Sequence, residues 1–131
     1  MNEMSDSAVI AALRREMTRA VARQVAAASN LANLETPGYR AREPEFGAAL
    51  DRQLGQVQVA TTDGAHLGAS APEPAAGMKD VEGLAARRDG NNVQLDRELL
   101  AMAQASGDFA KAQTALAAKF RLVRYAISEG R

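Results

Sequence analysis

The most regular feature of this 131-residue chain is the spacing of apolar positions near its two ends. Ile10, Leu13, Met17, Ala20, Gln24, Ala27, Leu31 and Leu34 recur at alternating steps of three and four residues between Ser7 and Leu34. That rhythm predicts one helix carrying a heptad seam. Arg14, Arg15, Arg19 and Arg23 fall off the seam, leaving a single apolar stripe with Gln24 as its one polar member. A second seam runs through Leu95, Leu99, Met102, Ser106, Phe109, Gln113, Leu116, Phe120, Val123 and Ile127. It predicts a helix of about 35 residues, on the order of 50 Å long, ending near Glu129-Gly130, where Gly suits the position after a helix. Gln24, Ser106 and Gln113 either set register in a buried seam or mark a wetter stretch, and spacing alone leaves both open.

Between the two seams the periodicity is lost. Thr36-Pro37-Gly38-Tyr39 places Pro and Gly where a type II turn requires them. Pro37 also drives Thr36 out of the helical region, so the first helix should stop by about Leu34 or Glu35. The run from Gln56 to Thr62 alternates with period two and is the one strand-like stretch. Ala65 to Gly83 has the Gly, Ala, Ser and Pro content of a mobile loop. Asp89-Gly90-Asn91-Asn92 marks a turn before the last helix. The expected division is 1–39, an N-terminal helix and turn; 40–92, a flexible middle; and 93–131, a C-terminal heptad helix. The expected fold is all-α: an antiparallel coiled-coil hairpin of two terminal amphipathic helices, with a middle that is partly disordered or short-stranded.

Composition sharpens this picture. Of the hydrophobic 47%, 29 residues are Ala, and only 25 are Leu, Ile, Val or Phe. That is thin for a core, and a two-helix pair leaves much of each helix wet. Packing partners, other copies or other proteins, are therefore implied. The net charge is zero, with mildly basic ends and an acidic middle, which is no footprint for nucleic acid. The chain has no Cys, so disulfides and thiolate metal sites are excluded. No apolar run approaches the ~18 residues of a membrane span. Glu3, Asp6 and Glu16 interrupt any Sec-type leader, so no cleaved signal is expected.

Candidate chemistry is sparse. His66 lies in the Gly/Ala-rich loop, far in sequence from the partners a triad needs. Asp89-Gly90-Asn91 begins like a calcium loop, but Val93 and Leu100 stand where ligands should be. No phosphate-cradling Gly motif is present. Neither catalytic, cofactor nor metal residues are expected, nor a small-molecule substrate. Met17 and Met102 read as seam packing.

The stretch Ser29-Asn30-Leu31-Ala32-Asn33-Leu34-Glu35-Thr36-Pro37-Gly38-Tyr39-Arg40 resembles the signature that follows the first helix of bacterial flagellar axial proteins. Taken alone, Asn30 and Asn33 suit a self-capped helix end. Asp89-Gly90-Asn91-Asn92-Val93-Gln94-Leu95-Asp96-Arg97-Glu98, with the long helix ending in Lys119-Phe120-Arg121-Leu122-Val123-Arg124-Tyr125-Ala126-Ile127, is similar to the rod protein B group of the proximal rod. Gln94 departs from the Asp common there and is a weaker N-cap.

The resemblance implies a structural subunit of the basal-body rod, exported through the flagellar type III apparatus and assembled in the periplasm. Its partners would be copies of itself and other rod, base and export-apparatus proteins. Asn30, Asn33, Thr36, Pro37, Gly38 and Tyr39 would form the axial turn. Ile10, Leu13, Met17, Leu31, Leu95, Leu99, Met102, Phe109, Leu116, Phe120, Val123 and Ile127 would form the subunit-packing seam. The competing expectations are a soluble coiled-coil adaptor or secretion chaperone, and a small enzyme with an unrecognised site.

Stripes without neighbours predict a chain that is only partly helical when dilute and gains helix on association. Circular dichroism across a concentration series measures this. A sharp, concentration-independent two-state melt would contradict it.

Overall fold

The first seam folds as α1, Asp6–Ala32, and the second as α2, Leu95–Glu129, in a computed structural model that describes residues 6–46 and 77–129. The strand-like run at 56–62, residues 65–76 of the expected loop, His66 and Gly130 lie outside the described residues. The two helices pack side by side in opposite directions. Lys119 Nζ donates to Asp6 at 2.6 Å, Arg23 meets Asp108 at 3.5 Å, and Asn30 near the end of α1 meets Glu98 near the start of α2 at 2.9 Å. The antiparallel hairpin of terminal helices is thus the fold. No described helix is long and apolar enough to cross a membrane.

α1 closes by tightening. Asn33 N donates to Asn30 O and Leu34 N to Leu31 O, both at 3.1 Å, three-residue steps in place of the four of an α-helix. Beyond it, β1, Arg42–Glu45, pairs antiparallel with β2, Gly77–Asp80, with Arg42 opposite Asp80 and Glu45 opposite Gly77. This differs from the sequence expectation, which runs a loop as far as Gly83. Val81 N donates to Ala41 O at 2.8 Å, and Val81 joins Ala41 and Val93 in a small buried cluster covered by Leu34, Tyr39 and Leu84. The strand exists through its partner, and Gly-Met-Lys-Asp carries no period to announce it.

The buried line between the helices is also not the one that the largest residues trace. Ala20, Ala26 and Ala27 on α1 and Ala105 and Ala112 on α2 are buried, together with Asn30 and Glu98. On α2, Met102, Phe109, Leu116 and Val123 are half-buried. Leu95, Leu99, Phe120 and Ile127 stand 46–67% exposed. On α1, Ile10, Leu13, Met17, Leu31 and Leu34 are half-buried. The packed line on α2 therefore runs through Glu98, Ala105, Ala112 and Lys119, at one edge of the apolar stripe. Alanine methyls let the two backbones approach closely, and a Leu or Phe on that line would hold them apart. Gln24, Ser106 and Gln113 are all exposed, so they mark wet positions and not a buried register device.

The same substitution at neighbouring positions separates the two faces. Ala112→Leu, on the packed line, should destabilise by about 1–3 kcal/mol. Ala110→Leu, on the wet face, should stay within about 0.5 kcal/mol of the parent. Urea unfolding followed by circular dichroism compares them, and equal costs would show that the alanine line is not the packed face.

Candidate functional site

The residues singled out in the two sequence motifs meet in space at the end of α1. The Asn91 side chain, fully buried, aims its amide at three backbone carbonyls: Asn33 O at 2.9 Å, Leu34 O at 3.2 Å and Thr36 O at 2.8 Å. These carbonyls lie where the helical ladder has ended; Asn33 O also accepts from Thr36 N at 3.1 Å, and Leu34 O from Arg87 Nη1 at 3.3 Å, so the amide ties together groups that the turn holds only in part. Asn91 itself is held on every side. Its Oδ1 accepts from Val93 N at 2.8 Å, its N–H donates to Asp89 Oδ1 at 3.0 Å, and its carbonyl accepts from Arg87 N at 2.7 Å. Gly90 N donates to Arg87 O at 2.9 Å with Gly90 at φ +85°, the pattern of a tight turn closed by a left-handed glycine.

Thr36-Pro37-Gly38-Tyr39 turns against this loop. Tyr39 N donates to Thr36 O at 3.2 Å and Gly38 adopts φ +72°, as a type II turn demands of its third residue. Gly38 N then donates to Asp89 O at 2.8 Å. A Cβ on Gly90 would lie 3.4 Å from Gly38 Cα, so the two glycines bring the turns into backbone contact. Asn92 continues the weld: its Oδ1 accepts from Ala41 N at 2.6 Å, and its N–H reaches Tyr39 O at 3.3 Å.

Two asparagines three residues apart do different work. Asn33 is local: its Nδ2 donates to Ser29 O at 2.9 Å and its Oδ1 accepts from Thr36 Oγ1 at 3.1 Å. Asn30, 1% exposed, reaches across the fold. Its Nδ2 donates to Arg42 O and to Glu98 Oε2, both at 2.9 Å, and its Oδ1 accepts from Arg42 N at 2.9 Å and from the Tyr39 hydroxyl at 3.3 Å. All four of its hydrogen-bonding positions are used. Toward Arg42 it behaves as a neighbouring strand would, and Pro44, lacking an N–H, completes a closed outer edge on β1.

Glu98, only 2% exposed, gives its other oxygen to Arg97 Nη1 at 2.9 Å. Arg97 also faces Glu43 at 3.5 Å, and Glu43 faces Lys79 at 3.4 Å, so one chain of polar contacts runs through both helices and both strands. Asn91 and Asn92 stand in the sequence motif but read there only as a turn. Glu98 was not singled out. Its signal was the seven-residue step to Ala105 and Ala112, a line hidden by the larger residues beside it.

The expected seam divides in two. Met102, Phe109, Leu116 and Val123 border the helix pair along with Ile10, Leu13, Met17 and Leu31, whereas Leu95, Leu99, Phe120 and Ile127 are exposed, as are Leu100, Leu122 and Tyr125. The arrangement offers exposed apolar helix surface beside a polar junction. Among the described residues no group of three or more His, Cys, Asp or Glu side chains is placed to hold a metal ion.

No known family's sequence model matches the chain. Among curated proteins it is similar to the flagellar basal body rod protein FlgB of Salmonella typhimurium, with 31% identity over 107 residues, covering 76% of this chain and 78% of that protein. It is similar to the protein of the same name in Escherichia coli, at 29% over 120 residues, covering 82% and 84%. The Bacillus subtilis protein of that name is 25% identical over 125 residues, 95% of this chain and 97% of its own length.

Asn91→Asp keeps the shape of the side chain, removes both donors and turns an anion toward the carbonyls of α1. Each buried group left unsatisfied costs about 1–3 kcal/mol, so the loss should reach about 3 kcal/mol or more. Gly38→Val should cost about 1–3 kcal/mol through its forced positive φ alone. Melting temperature and amide exchange in the last turn of α1 report both, and an Asn91→Asp variant that melts like the parent would remove Asn91 from this role.

Proposed function

Because the chain belongs to the family of flagellar basal-body rod proteins FlgB, we propose that it is a structural subunit of the proximal rod, built into the basal body through its terminal helices. It turns over no substrate in this reading, and its partners are further copies of itself and the other rod, base and export-apparatus proteins. It reaches the periplasm through the flagellar type III apparatus in this reading.

The observation that carries the proposal is the exposed apolar surface of α2. Leu99, Phe120, Leu122, Tyr125 and Ile127 are each half or more exposed. At about 100° per residue, Phe120 and Ile127 share one side of the helix and Leu122 and Tyr125 the other, so its last turns present apolar surface on two sides. Filling it with helices from neighbouring chains, through a contact that does not close on itself, makes a filament. The division into 1–39, 40–92 and 93–131 then has a mechanical sense: the outer parts polymerise, and the two described ends of the middle, 40–46 and 77–92, meet at the junction of Asn30 and Asn91. The axial turn, Asn30 to Tyr39, sets the direction in which the chain leaves α1.

Phe120 is the cleaner site for a test, because Phe109 is half-buried beside α1 and its loss would also weaken the hairpin. Phe120→Asp should leave expression, export and helix content unchanged and abolish swimming, with intact rods missing from purified basal bodies. Normal motility with normal basal-body counts would withdraw this apolar surface from assembly. A discrete soluble oligomer that forms with no flagellar partner would favour an adaptor or chaperone instead.

A further inference from the structure

An alanine line is a poor ruler. The buried residues between α1 and α2 that carry no polar group are all alanine: Ala20, Ala26 and Ala27 on one helix, Ala105 and Ala112 on the other, with Ala20 and Ala27, and Ala105 and Ala112, each seven residues apart. Sliding the helices past each other by one heptad, about 10 Å along the axis, sets methyl against methyl again. The ion pairs along the flanks, Arg23 with Asp108 and Lys119 with Asp6, have side chains 24–63% exposed and discriminate weakly.

Asn30 and Glu98 are different. They are the two polar side chains buried where the helices face each other, and each is satisfied in one register. Asn30 is held in place by Arg42 and Tyr39, and the Glu98 carboxylate is held by Arg97. Moving α2 by a heptad would leave the Asn30 amide with Arg42 O as its one acceptor and would take from the buried Glu98 carboxylate its partner on α1, a larger cost than any loss at the surface.

We propose that the Asn30–Glu98 hydrogen bond is the register lock of the helix pair. Among the sliding positions that an alanine seam tolerates, it selects the one in which Lys119 stands opposite Asp6. The residues from Phe120 to Glu129 then extend past Asp6 and leave Phe120, Leu122, Tyr125 and Ile127 exposed. Glu98 is thus a positioning residue for the assembly surface. Asn91, Asn92 and Val93 hold the loop that enters α2, so a slide of the helix also requires that loop to let go, and Glu98 is the first buried residue of the helix itself that opposes it.

The proposal concerns packing inside one chain, so its test is independent of rod assembly. The protein has no Cys, and Ala11 and Ala103, both exposed, accept Cys and spin labels on α1 and α2. Labelled chain is diluted into excess unlabelled chain, at a concentration where circular dichroism reports full helix, and the electron–electron distance is measured. The parent should give one narrow distance. Glu98→Gln, which retains an oxygen for the Asn30 amide, should give the same one. Glu98→Met, of similar shape but with no acceptor, should keep its helix content and add a second population displaced by roughly 10 Å. A single unchanged distance in Glu98→Met would overturn the proposal and assign the register to the Asn91 anchor. Loss of helix in place of a second distance would overturn it as well, making Glu98 a stabilising residue and not a selector.

Discussion

Where α1 ends, its helical hydrogen-bond ladder stops, and the rest of the structure is arranged around one amide that gathers the carbonyls that follow. Asn91 comes from 55–58 residues further along the chain and donates to Asn33, Leu34 and Thr36 from a fully buried position. Because its own backbone is pinned by Arg87 and Asp89, that amide brings the whole 87–93 loop with it. The end of the first helix and the beginning of the second are therefore a single construction. Gly38 and Gly90, each with positive φ, let the two turns touch at the backbone, and Asn92 and Ala41 extend the contact toward the strands.

A junction of this kind makes up for what the helix pair lacks. Alanine methyls bury little area, and at about 25 cal/mol per Å² the seam adds far less than a seam of Leu would. What it provides is close approach. Met102, Phe109, Leu116 and Val123 are displaced to the flank, where they are half-buried, and Leu99, Phe120, Leu122, Tyr125 and Ile127 stay exposed and free to pack against a neighbour. Stability inside the subunit thus comes largely from a polar weld at one end, and the apolar free energy is held over for assembly. The same division explains the buried polar residues. Asn30, Asn91, Asn92 and Glu98 gather at the junction or the adjoining end of the seam, where directional hydrogen bonds define one geometry and apolar contacts would accept several.

Within the two helices the sequence alone was nearly sufficient. The period of the apolar residues places the first helix at 7–34 against Asp6–Ala32, and ends the second near Glu129-Gly130 against Leu95–Glu129. Pro37-Gly38 announces its turn because the backbone angles it requires are a property of those two residues. These features are local, and local chemistry determines them. The remainder needed residues far apart to meet. Asn30 and Asn33 are the same residue in similar surroundings, yet one caps its own helix and the other binds Glu98, 68 residues away, and nothing near them in sequence distinguishes the two. β2 is a strand because β1 lies beside it. The face of α2 that packs inward was decided by how closely two alanine lines can approach, which overrode the stripe of larger residues that the heptad count favours. Sequence determined which segments are helices and where they turn, since hydrogen bonds within a few residues suffice for that. Tertiary structure decided which face of each helix is inside and which asparagine is buried, since those depend on the group standing opposite.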